Sequence, residues 1–301
     1  MSERGFARFS AFTLAYTVLV VLFGAFVRAT GSGAGCGANW PSCQGEVIPR
    51  SPGVETIIEF THRATSGVAL VLVLVLIVWA LRIHPRGAPV RKAALVSGAF
   101  IVFEALVGAA LVLFEWVGDD DSPERAAVVA VHLVNTFLLL AALTVTAWFA
   151  SGRPAPIRPY APGVRRWVVW CGVGLILVGA TGAIAALGDT LFPAETLAAG
   201  FRDDFTGVLL QRLRWIHPVV AVATAIAVLR FASRFDGRAV GTGALTGLVA
   251  LQLGVGVVNV LLLAPVWMQI VHLLIADLIW IAFVIASVSA LIAVAPRAVE
   301  P

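Results

Sequence analysis

Charge is what this sequence has least of. Asp, Glu, Lys and Arg make up only 13% of its 301 residues, where a soluble domain carries roughly 25%. With 60% hydrophobic residues and a mean hydropathy of +0.96, most of the surface is excluded from water. A cleavable leader is also missing from the expectation. Arg4 and Arg8 precede a first apolar run that ends in Arg28 and a Gly-rich loop, not in a small-residue cleavage site followed by a soluble domain. Nucleic acid is excluded as a partner despite the pI near 9.5, because the basic residues are spread over short loops between apolar runs. Cysteine is scarce. Of three, Cys171 sits alone in an apolar run and reads as a small core residue.

What is present is a succession of runs long enough to cross a bilayer, each needing about 20 apolar residues. Hydropathy and breakers place spans at 9–29, 56–81, 93–116, 125–149, 165–187, 209–232, 240–264 and 266–295, with a tight turn near Ala264–Pro265. The predicted fold class is an all-α membrane protein of eight transmembrane helices. Arg4, Arg8, Arg82, Arg86, Arg91, Lys92, Arg153, Arg158, Arg165, Arg166, Arg230, Arg234, Arg238 and Arg297 all fall on one side of it. That bias puts both termini in the cytoplasm and the loop carrying Cys36 and Cys43 outside.

The two halves look alike. Phe103–Gly108 matches Leu251–Gly256, Val131-His132-Leu133 matches Val271-His272-Leu273, and Gly24-Ala25-Phe26 matches Gly182-Ala183-Ile184. Four spans per copy keep both copies in one orientation, so the repeat axis runs along the membrane normal. The expectation is two pseudo-symmetric four-helix bundles, residues 1–150 and 164–301, joined by a cytoplasmic linker over 151–163.

His84, beside Pro85 in a basic loop, has no assigned role. His62, His132, His217 and His272 occupy one even-numbered span each, at a common depth from the outer side. An ionisable residue inside a bilayer is costly and marks function more often than packing. Two imidazoles on neighbouring helices of one bundle suit bis-histidine haem ligation. Zinc fits less well, lacking a third ligand at the same level. Arg63, Arg212 and Arg214 flank the histidines and either pair with haem propionates or anchor at the interface. Glu59, three residues before His62, shares its helix face and has no carboxylate counterpart in the second half. It is the candidate base or charge stabiliser. Cys36 and Cys43 form either a disulfide or a redox-active pair. Glu104 and Gln252 occupy matching positions, which points to hydrogen bonding between helices, while Asp277 is unmatched and has no assigned role.

Thr30-Gly31-Ser32-Gly33, Trp40-Pro41-Ser42-Cys43-Gln44-Gly45 and Ile57–Arg63, with the Val-His-Leu segments and Trp215-Ile216-His217, make the whole chain resemble the haem A synthase (CtaA/Cox15) family. The resemblance implies oxidation of the C8 methyl group of haem O to the formyl group of haem A for terminal oxidases. It implies that His62 and His132 lie at the substrate haem O, that His217 and His272 hold the iron of a haem b cofactor, and that Glu59 is catalytic. The partners implied are a haem O synthase (protohaem farnesyltransferase), an electron acceptor and membrane lipid, in the plasma membrane of a prokaryote. A b-type cytochrome that passes electrons to or from quinone is the alternative. It leaves Glu59 and the one-sided cysteine loop without a task.

Overall fold

The computed structural model describes residues 2–152, 162–236 and 239–293. Arg153, Arg158, Arg238, Arg297 and most of the expected linker lie outside them. The described residues form helices α1 (Glu3–Ala29), α2 (Val54–Ile83), α3 (Pro89–Leu113), α4 (Pro123–Ala150), α5 (Pro162–Leu191), α6 (Leu197–Thr206), α7 (Leu209–Leu213), α8 (Ile216–Arg234), α9 (Thr242–Leu261) and α10 (Val266–Ala293). Among them, eight stretches are long and apolar enough to cross a membrane, α7 and α8 together making the sixth. This is a multi-pass membrane protein. Apolar length fixes the spans, while local chemistry fixes their ends. The Ser122 hydroxyl caps α4 by accepting from the Arg125 N–H at 3.2 Å, with Pro123 in the first turn. The turn between α9 and α10 puts Leu263 and Ala264 at φ 59° and 52°, directly before Pro265.

The sixth span differs from the uninterrupted helix expected over 209–232. It breaks at Arg214–Trp215, and α8 restarts one residue before His217. Pro218 is the cause: it has no N–H, and its ring clashes with the carbonyl four residues back, that of Arg214. Tighter bonds fill the gap, Arg214 N–H to Gln211 O and His217 N–H to Arg214 O, both at 3.2 Å. The long connection before this span, between the expected bounds 187 and 209, also holds α6.

Helices α1 to α4 pack in a ring, α4 returning against α1, and α5, α8, α9 and α10 pack in a second ring. The rings meet along α1, α4, α5 and α10. One apolar cluster joins Phe6, Val73, Leu76, Ile101 and Leu143 in the first ring. A larger one gathers Phe137, Val228, Phe231, Trp280 and Phe283 around the seam. Trp280 ties that seam across the rings by donating from Nε1 to the Phe137 carbonyl at 2.5 Å.

Candidate functional site

The four histidines stand on α2, α4, α8 and α10, toward the end that carries the cysteine loop. The expectation that paired histidines sit on neighbouring helices needs correction. In each ring the closely packed pairs are sequential helices and the first with the last; α2 faces α4, and α8 faces α10, across the diagonal. The physical reason is topological: in a four-membered ring alternate members are never adjacent. Diagonal placement sets the two histidine-bearing helices of each ring opposite one another.

Three of the imidazoles lie against glycine. A Cβ at Gly24 would come within 2.9 Å of His62 Cε1, one at Gly182 within 3.0 Å of His217 Cε1, and one at Gly256 within 3.2 Å of His272 Cε1. A real Cβ essentially never comes as close as the one at Gly24 would, and at Gly182 and Gly256 the ring would have to give by a few tenths of an ångström. The glycines are therefore cradles. They set how deep each imidazole lies, and two of them belong to the matched Gly-Ala dipeptides of α1 and α5.

Hydrogen bonding then decides which ring nitrogen is free. His217 Nδ1 is 3.2 Å from the Val178 carbonyl. A carbonyl only accepts, so Nδ1 carries the proton and Nε2 keeps the lone pair a metal needs. The rings of His217 and His272 are 6.2 Å apart between centroids and nearly perpendicular, at 78°. His272 Nε2 contacts Gln252 Nε2 at 3.1 Å, while its Nδ1 is buried without a partner. In the first ring, His132 Nδ1 lies 3.4 Å from Glu104 Oε1, at ion-pair rather than hydrogen-bond geometry. Glu104 also accepts from the Asn135 amide and the Thr136 hydroxyl. His62 packs edge-on to Phe23 at 5.8 Å and leaves its buried Nδ1 unpartnered. Glu104 and Gln252, matched in the repeat, thus each touch the histidine of the next helix. A carboxylate or amide behind an imidazole is how proteins orient metal-binding histidines.

Glu59 is buried and bound on both oxygens. Oε2 accepts from the Cys36 N–H at 2.7 Å, and Oε1 accepts from Arg63 Nε at 3.0 Å and Nη2 at 2.5 Å. Arg63 Nη1 donates onward to the carbonyls of Asn39 and Ser42 at 2.6 and 2.7 Å. Cys36 and Cys43, both buried, form a disulfide. Gly35 permits the close approach: a Cβ there would come within 2.5 Å of the Glu55 backbone. The carboxylate, the guanidinium and the disulfide loop form one unit above His62. Arg63 is spent within it, so its place is to fix Glu59 and the loop.

The profile of the cytochrome oxidase assembly proteins COX15-CtaA matches residues 7–284. The chain belongs to this COX15-CtaA family. Among its relatives, a protoheme IX farnesyltransferase of Thermus thermophilus is 54% identical over 219 residues, which are 72% of this chain but 36% of that protein. A heme A synthase of Halalkalibacterium halodurans is 37% identical over 156 residues, covering 51% of this chain and 50% of that one. A heme A synthase of Exiguobacterium sibiricum is 33% identical over 191 residues, covering 60% and 62%. The alignments thus span about a third to three-fifths of these relatives.

Other charges of the COX15-CtaA chain lie in the second ring or reach into it. Arg214, also buried, donates from Nε to Asp204 at 2.9 Å and from Nη1 to Asp189 at 3.2 Å, leaving Nη2 enclosed without a partner. Arg212 is exposed. Arg28, which sequence reasoning gave no site role, reaches from α1 into the second ring. Its Nη1 donates to the Ala186 carbonyl at 2.6 Å and the Thr190 hydroxyl at 2.7 Å, and its Nη2 to Gln269 Oε1 at 2.9 Å. A signal was available, because Arg28 is a basic residue at the span end opposite the basic loops, against the usual bias. Asp277 is fully enclosed, with neither carboxylate oxygen partnered.

Proposed function

We propose that this protein is a haem A synthase, oxidising the C8 methyl group of haem O to a formyl group. The observation that carries the reading is the set of acids beside one histidine pair: the buried Glu59 lies one turn from His62 on α2 and Glu104 stands 3.4 Å from His132, while among the described residues no carboxylate contacts His217 or His272. One haem site is thus equipped for acid–base chemistry and one only for ligation. The side chains fit the group: three imidazoles lie against glycines, and His217, with Nε2 free, has its ring 6.2 Å from that of His272. His217 and His272 would hold a haem b, which supplies one-electron transfer. His272 must first give up its Gln252 contact. His62 and His132 would hold the iron of the substrate haem O. Glu59 would take a proton from the reacting methyl carbon or from the water that adds to it, and Arg63 keeps its carboxylate aimed. Arg214, through Nη2, and Arg212 remain as propionate contacts.

The two rings would be the domains, 1–150 for substrate and 164–301 for cofactor, related by the internal repeat, with both termini cytoplasmic in a prokaryotic plasma membrane. The Thermus relative supports a partnership. It is named for farnesyl transfer to protohaem, yet this chain matches little more than a third of it. The remainder of such a protein has room for the farnesyl transfer, with the matching part consuming its product. We infer that a haem O synthase supplies this chain. Electrons would leave to an acceptor of the membrane.

The test is to express the chain with and without a haem O synthase and analyse the extracted pigments. Formyl-bearing haem should form only in the co-expression. A bound haem b with no modified product would establish a b-type cytochrome instead.

A further inference from the structure

Helix α6 presents its faces the wrong way round for a helix in water. Leu197, Phe201 and Phe205 recur every fourth residue, so they line one stripe. That stripe points outward, with exposures of 37%, 61% and 69%. The acids point inward: Asp204 accepts from Arg214 Nε at 2.9 Å, and Asp203 accepts from Gln211 Nε2 at 3.4 Å. A water-facing helix would bury the phenyl rings and expose the carboxylates.

Position identifies what covers the stripe. α6 lies between the end of α5 at Leu191 and the start of the sixth span at Leu209, so both its neighbours are at a membrane boundary. The apolar exposure continues without a gap through Val208 and Leu209, 49% and 53% exposed, onto the outer surface of that span. Arg202 sits at the edge of the stripe; its Nε lies 3.7 Å from Asp203, and with 72% of its side chain accessible it can still meet a lipid phosphate. Aromatic and aliphatic residues on one face and a basic residue at its border are the features of a helix lying in the headgroup region.

We propose that α6 is an interfacial membrane anchor, with Leu197, Phe201 and Phe205 sunk into the acyl–headgroup boundary at the end of the bilayer that carries the disulfide loop. Its occupant is lipid. Because Asp204 grips Arg214, three residues before His217, the anchor also steadies the break between α7 and α8. The inference does not depend on haem chemistry.

Spin labels at single engineered cysteines test it. Cys36 and Cys43 are bonded to each other and Cys171 is buried, so the native chain offers little background. Phe201→Cys, Phe205→Cys, Arg202→Cys and, as a water-facing reference, Val47→Cys would be labelled and the protein reconstituted in phosphatidylglycerol–phosphatidylethanolamine vesicles. Val47 is 86% exposed in the disulfide loop. Labels at 201 and 205 should be relaxed by dissolved oxygen and shielded severalfold from a water-soluble nickel chelate relative to the label at 47, with 202 between. Nickel access at 201 and 205 equal to that at 47 would place the stripe in water and overturn the proposal. Shielding from both reagents, with an immobilised spectrum, would put protein on the stripe and overturn it equally.

Discussion

At the scale of single residues, the two histidine pairs differ in what stands behind each ring, and that difference sets what each substitution should do. His217→Ala removes a proposed ligand whose Nε2 is free, and should abolish the b-type absorbance expected of the purified protein. Glu59→Gln should leave that absorbance intact while lowering formyl-haem production by about 100- to 10,000-fold, the usual worth of a positioned base. Loss of haem from the Glu59 variant would make it a structural acid. Glu104→Ala withdraws the carboxylate from His132. Haem titration should show affinity at the first ring falling about 10- to 100-fold, as when other orienting partners are removed. Gly182→Ala inserts a methyl 3.0 Å from His217 Cε1. The imidazole must shift, at a cost of about 1–3 kcal/mol typical of overpacking, and the absorption bands of the bound haem should move with it.

Among elements, the disulfide loop is the one whose conformation reaches a site residue directly. Cys36 donates its N–H to Glu59, and the loop carbonyls of Asn39 and Ser42 hold Arg63. Replacing both cysteines by serine frees a short loop, worth about 2 kcal/mol in chain entropy. The expected outcome is a lower melting temperature and reduced turnover, with the b-type spectrum unchanged because His217 and His272 belong to the other ring. A simultaneous loss of the spectrum would show that the loop supports both rings. The broken sixth span is the other element with a local cause. Pro218 stops a continuous helix just before His217, and the resulting turn brings Arg214 against Asp189 and Asp204.

Across the whole molecule, the described residues join the two rings through an apolar seam, the Trp280–Phe137 hydrogen bond and the cation of Arg28. Arg28 leaves α1, in the first ring, and is satisfied by Ala186 and Thr190 on α5 and by Gln269 on α10. Gln269 lies three residues before His272, so the clasp ends on the helix that carries a proposed ligand. Arg28→Gln forfeits charge-assisted hydrogen bonds of about 1.5–3 kcal/mol each. Thermal unfolding should begin at a lower temperature, and haem should be lost from the second ring although no ligand was altered. An unchanged melting curve would mean that the seam, with its Trp280–Phe137 hydrogen bond, holds the rings together without Arg28.

The number of spans, the sharing of one helix face by Glu59 and His62, and the family were legible in the order of residues. Each of these depends on local chemistry: apolar length, helical spacing or a contiguous motif. The packing of the helices into rings was needed to set the histidine-bearing helices across a diagonal, to stand Glu104 and Gln252 against imidazoles of the next helix, and to engage Arg63 with Glu59 and the loop. It also decided that Arg28 joins the rings and that α6 turns its phenyl groups outward. Those contacts connect residues as far as 241 positions apart. No local pattern records such a meeting, because it comes from how the helices close into rings and not from the order of residues along any one of them.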